Sequence, residues 1–112
     1  MTQNDMILFT RFGMGDAPTE LQKKLVGIFL GLLNQDSAPG VVAFYGEGVK
    51  LACEGSPALD ALKTLADKGA RLIICQTCLD FYGLRDKVQV GIVGGMGDIV
   101  HAMNAADKVI SV

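Results

Sequence analysis

The sequence has no basic stripe: its 10 lysines and arginines stand singly apart from Lys23-Lys24, against 12 aspartates and glutamates, for a formal net charge of −2. Phosphate recognition needs a clustered positive face, so nucleic acid is excluded as an expected partner. No apolar run reaches the ~20 residues that cross a bilayer. The longest, Leu25 to Leu33, ends at Asn34 and reads as a core helix. The opening Thr2-Gln3-Asn4-Asp5 is polar and Met6 to Thr10 is too short for a leader's apolar segment, which sets the expectation of a cytoplasmic protein. Cysteine is scarce and odd in number, three in all, which argues against a disulfide framework and toward reactive or metal-binding thiols, with simple burial as the alternative. Repeats, linkers and low-complexity tracts are absent too. What remains is a single domain over residues 1–112, long enough to bury about two-thirds of its unfolded surface.

What is present is an alternation. Met6 to Thr10, Val41 to Tyr45 and Leu72 to Ile74 are short apolar runs bounded by turn residues and read as buried strands, with a short fourth strand within Val88 to Val93 and a fifth from Lys108 to Val112. Between the first two, Pro18 and Glu20 suit a first helical turn, and Leu21, Leu25, Ile28, Phe29, Leu32 and Leu33 are expected to form one broad apolar face. Ser56-Pro57 is expected to open the next helix, with Leu59, Leu62 and Leu65 inward and Gly69 as its stop. A last helix spans Asp98 to Ala105, with Ile99, Val100 and Met103 inward. Strand–helix alternation predicts an α/β fold, a three-layer α/β/α arrangement around a mainly parallel five-stranded sheet. Half of the residues are hydrophobic, enough to suggest a buried interface between copies, so a homo-oligomer is expected.

The chemistry-bearing motif is Cys75-Gln76-Thr77-Cys78, directly after the third strand. In a parallel sheet the loops after strands one, two and three leave the same carboxyl edge, so Cys53, Cys75 and Cys78 are expected to gather at one end. Two thiols three residues apart can share a face, bond to each other, or hold a metal. A thioredoxin-like site is disfavoured, because the chain has no Trp and its pair follows the third strand rather than an early one. A Cys₃His metal set would need Cys53, Cys75, Cys78 and the lone His101, whose mid-helix position reads as an ordinary surface residue; no metal or cofactor is assigned. The glycines from Gly91 to Gly97 match neither a Walker nor a dinucleotide pattern and read as a tight strand-to-helix turn. Arg11 and Asp16 are placed at the same edge without roles. Lys50 and Glu54, flanking Cys53, are expected to pair with each other at the surface.

Three ordered segments carry a resemblance: Gly48-Val49-Lys50-Leu51-Ala52-Cys53-Glu54-Gly55-Ser56, Ile74 through Leu84 around the C-x-x-C, and the tail Ala106-Asp107-Lys108-Val109-Ile110-Ser111-Val112. Together they resemble the DsrE-like domain of YedF-type proteins over essentially the whole chain. The resemblance implies an oligomeric DsrE-like fold and a role in sulfur relay, with sulfane sulfur or selenium carried as a persulfide. Sulfur-relay members place that persulfide on a cysteine eight residues before a glycine, which here selects Cys75 and Gly83 and leaves Cys78 as an assisting thiol and Cys53 as an additional site candidate. Such a protein is a persulfide carrier or sulfurtransferase subunit whose partners are sulfur donor and acceptor proteins. The residues before the glycine, often arginines in relay members, are Phe81 and Tyr82, and the C-P-x-P motif often found ahead of the YedF-type domain does not occur. The alternative reading is a non-catalytic oligomeric assembly or redox-sensing module of the same fold.

Overall fold

The computed structural model describes all 112 residues, Met1 to Val112. Five strands, β1 (Asp5–Phe9), β2 (Val41–Phe44), β3 (Arg71–Cys75), β4 (Ile92–Gly94) and β5 (Lys108–Ser111), form one sheet in the order β4-β3-β2-β1-β5, and every neighbouring pair is parallel. The helices are α1 (Thr19–Leu33), α2 (Leu59–Asp67), α3 (Gln76–Tyr82) and α4 (Met96–Ala105), and a 3-10 helix covers Gly46–Ala52. From β1 to β4 each strand is laid down on the same side of the last, and β5 then returns to the far side of β1. Right-handed crossovers place α1 and α2 on one face of such a sheet and α4 on the other. In keeping with this, Asn34 at the end of α1 donates its side-chain amide to the Ala61 carbonyl of α2 at 3.1 Å.

The inner strands are apolar along their length because both of their faces are covered. Met6, Ile7 and Phe9 of β1, Val42 to Phe44 of β2 and Leu72 to Cys75 of β3 are buried, and Phe9 stacks on Phe44 with ring centroids 5.5 Å apart. The register sets Phe44 beside Ile74 and Cys75 beside Gly94. No helix is long and apolar enough to cross a membrane.

Several local expectations are corrected. The residues of α1 that reach the core are Val26, Leu30 and Leu33, whereas Leu21, Leu25, Ile28 and Leu32 face outward. The helix thus has two apolar faces, and its rotation is set by the loop before it. Met14 donates its amide to the Gln22 carbonyl at 3.1 Å and Gln22 returns its side-chain amide to the Gly15 carbonyl at 2.8 Å. Gly13, at φ +145°, lies so close that a Cβ there would stand 2.5 Å from that of Gln22.

The helix expected from Ser56-Pro57 begins at Leu59, because Ser56 Oγ accepts the Ala58 amide at 3.0 Å in a turn that precedes it. The short fourth strand lies at the end of its expected window, Val88 to Val93, and runs one residue past it. Val88 makes an isolated antiparallel bridge with Cys53, and Gly91 (φ +81°) breaks the run where a Cβ would stand 2.8 Å from the Leu72 carbonyl oxygen. In α4, Ile99 is buried but Val100 is exposed.

Candidate functional site

Residues Leu72 to Cys75 bury the end of β3, and the chain turns at once into α3, so Cys75 is the last strand residue and Cys78 lies in the first turn of the helix. Leu79, fully buried, anchors α3, and Gly83 ends it in the left-handed conformation (φ +69°) that glycine adopts without a steric cost. All three cysteines lie at the carboxyl edge with free thiols, but their surroundings differ. Cys75 is 1% exposed and Cys53 2%, while Cys78 is half-buried and the only one within reach of solvent.

The sulfur of Cys78 accepts the backbone N–H of Gly46 at 3.1 Å. Gly46 is the second residue after β2 and opens the 3-10 helix, and its φ of +59° is a left-handed turn in which a Cβ would stand 3.2 Å from the Thr10 carbonyl oxygen. The turn therefore aims a main-chain donor at the thiol. Gly48, two residues on, packs against the Phe9 carbonyl where no side chain fits. Burial pushes the Cys78 thiol above its ordinary pKa, the Gly46 amide pulls it down, and the adjoining Cys75 side chain, by hydrogen bonding and by charge, pushes it up. Cys53 sits apart from this pair. Its thiol donates to the Val49 carbonyl at 3.2 Å, and burial raises its pKa, which keeps it protonated.

The charges around the pair are rearranged relative to expectation. Asp80, two residues past Cys78, is bound on both oxygens by Arg85, at 2.9 Å and 2.8 Å, and this hydrogen bonding holds its carboxyl below the usual range. Lys50 and Glu54 do not pair with each other. Lys50 bridges Glu47 at 3.3 Å, and Glu54 meets Lys87 at 3.8 Å, because one turn of 3-10 helix brings residues 47 and 50 to the same side. Lys50 also lies 4.7 Å above the Tyr82 ring centroid, one helical turn beyond Cys78. Phe81, 82% exposed, stands edge-on to Tyr82. The sequence pattern gave no role to Gly46 or Tyr82 and placed Lys50 only in a surface pair with Glu54; the glycine following β2 was the one available signal, and it reads as an ordinary turn.

The remaining candidates fall elsewhere. His101 lines a depression at the amino edge with Asp5 and Arg71, far along the strands from the thiols, and no group of three or more His, Cys, Asp or Glu side chains is placed to hold a metal ion. In the glycine-rich turn, the Gly95 amide already donates to the Asp98 carboxylate at 2.9 Å, so a side-chain anion occupies the donor a phosphate would use. Arg11 and Asp16 are exposed and form no ion pair.

The same backbone arrangement occurs in solved structures. The ychN protein of E. coli superposes with a TM-score of 0.70 at 14% identity, covering 96% of this chain and 98% of that one. MTH1491 of Methanobacterium thermoautotrophicum, described as a protein of unknown function, gives 0.63 at 19% identity over 96% and 98%. BT1422 of Bacteroides thetaiotaomicron, described in the same way, gives 0.67 at 12% over 97% and 95%. No curated protein matches in sequence. At such identities the likeness is one of fold, and the sequence supplies the rest: residues 8–112 match the model of the DsrE/DsrF-like family, and the chain belongs to that family.

Proposed function

We propose that the protein carries sulfane sulfur on the Cys75–Cys78 pair, with Cys78 as the thiol that meets the donor and Cys75 as the place where the persulfide is held. One observation carries this reading: a main-chain N–H aimed at the half-exposed sulfur of Cys78, with the buried Cys75 directly behind it. The reactive form is the thiolate, and the Gly46 donor is the one contact that favours it. Spacing to Gly83 supports Cys75 as the carrier, and its burial would shield a persulfide from reductants. Its burial equally bars a bulky donor, which is why reception belongs to Cys78.

The transfer balances without an external oxidant. The Cys78 thiolate attacks the outer sulfur of a donor persulfide R–S–SH; the new Cys78–S bond forms, the donor S–S bond breaks, and R–S⁻ leaves and takes up a proton from water. The Cys75 thiolate then attacks the outer sulfur of Cys78–S–SH, leaving Cys75–S–SH and a restored Cys78 thiolate. Donor and acceptor are partner molecules, and the protein acts as a carrier or sulfurtransferase subunit within a homo-oligomer. The outward apolar residues of α1 support self-association, since exposed contiguous apolar surface marks interaction sites.

Peptide-resolved mass spectrometry after exposure to a persulfide donor tests this. The wild type should hold one added sulfur on Cys75, Cys78→Ser should load at least tenfold more slowly, and Cys75→Ser should load on Cys78 and lose the sulfur faster. Unimpaired loading of a Cys75→Ser/Cys78→Ser double variant, or no loading of the wild type, overturns the proposal. Full-rate loading of Cys78→Ser would remove the receiving role from Cys78.

A further inference from the structure

A cleft of about 260 Å³ opens at the carboxyl edge, lined by Phe12, Lys23, Lys50, Cys53, Glu54 and Leu84 among others. Larger depressions exist, of about 550 Å³ beside Met1 and Lys68 and about 480 Å³ beside Pro18 and Lys24, but neither is lined by the 3-10 helix that carries the Gly46 donor, so size alone does not choose the site. The smaller cleft is assembled from the loop after β1, from α1, from the 3-10 helix after β2 and from the exit of α3. These are the segments at the end of the sheet where open α/β folds bind ligands.

The cleft's charges do not cancel. Lys50 is matched by Glu47 and Glu54 by Lys87, both partners lying outside the lining. Lys23 has no carboxylate within 4.0 Å; its ammonium rests instead on the Phe12 ring, 4.8 Å from the centroid. One half-buried positive charge is therefore left over, and cation–π contacts hold both lysines in place. A monoanion neutralises that surplus. Phe12 and Leu84 give the remaining wall an apolar character suited to a short carbon stem. The volume lies just below the ~300–1,000 Å³ of sites for drug-sized molecules, which fits a smaller ligand. Lys50 joins the cleft to the thiol, because its ammonium also covers Tyr82, one turn along α3 from Cys78, and because it lies in the same 3-10 helix as Gly46.

We propose that this cleft seats the carboxylate of a small organic persulfide, the donor from which Cys78 takes sulfur. The inference rests on the reading of the Cys75–Cys78 pair as a sulfur acceptor and adds the class of donor. The transfer is the one written above, with R the carboxylate-bearing stem that leaves as a thiolate.

The test compares two matched donors, N-acetylcysteine persulfide, which carries the carboxylate, and N-acetylcysteine amide persulfide, which does not. Loading of the wild type at low donor concentration should favour the carboxylate at least tenfold. Lys23→Gln and Lys50→Gln should each collapse that ratio toward one by raising the half-saturating concentration of the carboxylate donor, and Lys23→Arg should keep it, a rescue that a folding defect would not give. S-methyl-N-acetylcysteine, which cannot transfer sulfur, should shift the amide resonances of Gly55 and Leu84 in the wild type and not in Lys23→Gln. Equal loading by both donors overturns the cleft assignment and leaves the sulfur reading standing. Loading by neither overturns both.

Discussion

The amide of Gly46 lies 3.1 Å from the sulfur of Cys78, a contact between residues 32 apart in sequence that joins the end of β2 to the start of α3. Its strength depends on a backbone angle that side chains resist. A left-handed φ costs a residue with a Cβ about 1–2 kcal/mol, and Asn bears it better than most. Gly46→Val should therefore raise the Cys78 pKa and slow its alkylation several-fold below that pKa, with Gly46→Asn in between. The pH dependence of iodoacetamide labelling at Cys78, read by peptide mass, checks the order; identical profiles would mean that the N–H does not act on the thiol.

Cys75 acts on Cys78 in the opposite sense. Burial remains the main reason the Cys78 thiol titrates high, but the Cys75 side chain adds to it. Cys75→Ala should thus lower the Cys78 pKa and speed its alkylation at neutral pH, while Cys75→Ser should change it less. A slower Cys78 in Cys75→Ala would contradict this.

Mild oxidation with oxidised glutathione should yield a Cys75–Cys78 disulfide and leave Cys53 as a free thiol, since Cys53 is buried and its S–H is bound to the Val49 carbonyl. Non-reducing peptide mapping reads the outcome. A Cys53–Cys75 linkage would instead place Cys53 in the reactive set.

Stability should fall as pH rises beyond the ordinary cysteine range, partly through Cys53. Its folded pKa is raised by burial, so between the unfolded value of about 8.5 and the folded value the native state holds a proton that the unfolded chain has released. Stability then decreases with pH, being whole below the unfolded value and lost through the folded one. Urea melts between pH 7.5 and 9.5 should show a flatter slope for Cys53→Ala than for the wild type.

Leu79 is fully buried and is the only buried residue of α3. Leu79→Ala should cost about 2–5 kcal/mol, as large-to-small core changes do, and should also disturb the Gly46–Cys78 contact. Equilibrium denaturation measures the first effect and Cys78 alkylation the second. By contrast Ile28→Glu with Leu32→Glu, on the outer face of α1, should leave the fold intact and reduce the molar mass seen by light scattering.

The layered architecture was legible because it depends on period and punctuation. Runs such as Met6–Phe9 and Leu72–Ile74 are apolar along their length, as strands of a parallel sheet covered on both faces are, and Pro39-Gly40 and Gly69 mark where elements change. The position of the C-x-x-C at the end of the third strand was legible because strand-end placement follows from the same pattern. The difference between its two cysteines was not. Exposure of Cys78 and burial of Cys75 depend on how α3 packs through Leu79, and the Gly46 donor depends on a contact 32 residues away. The pairings of Lys50 with Glu47 and of Glu54 with Lys87 escaped for a similar reason, since they follow from a 3-10 turn and a β-bridge that composition does not mark.

With apolar residues on two sides, α1 has a degenerate rotational setting: hydrophobicity alone would accept either Val26, Leu30 and Leu33 or Leu25, Ile28 and Leu32 against the sheet. The hydrogen bonds that lock Gln22 to Met14 and Gly15, closed over the bare backbone of Gly13, select one of the two. That loop then acts as a specificity element more than as a source of stability, deciding which core is built rather than how tightly. Gly13→Val should keep the far-ultraviolet signal of the helix while weakening near-ultraviolet dichroism and admitting dye, the signature of a compact chain that holds its helices without a unique interior.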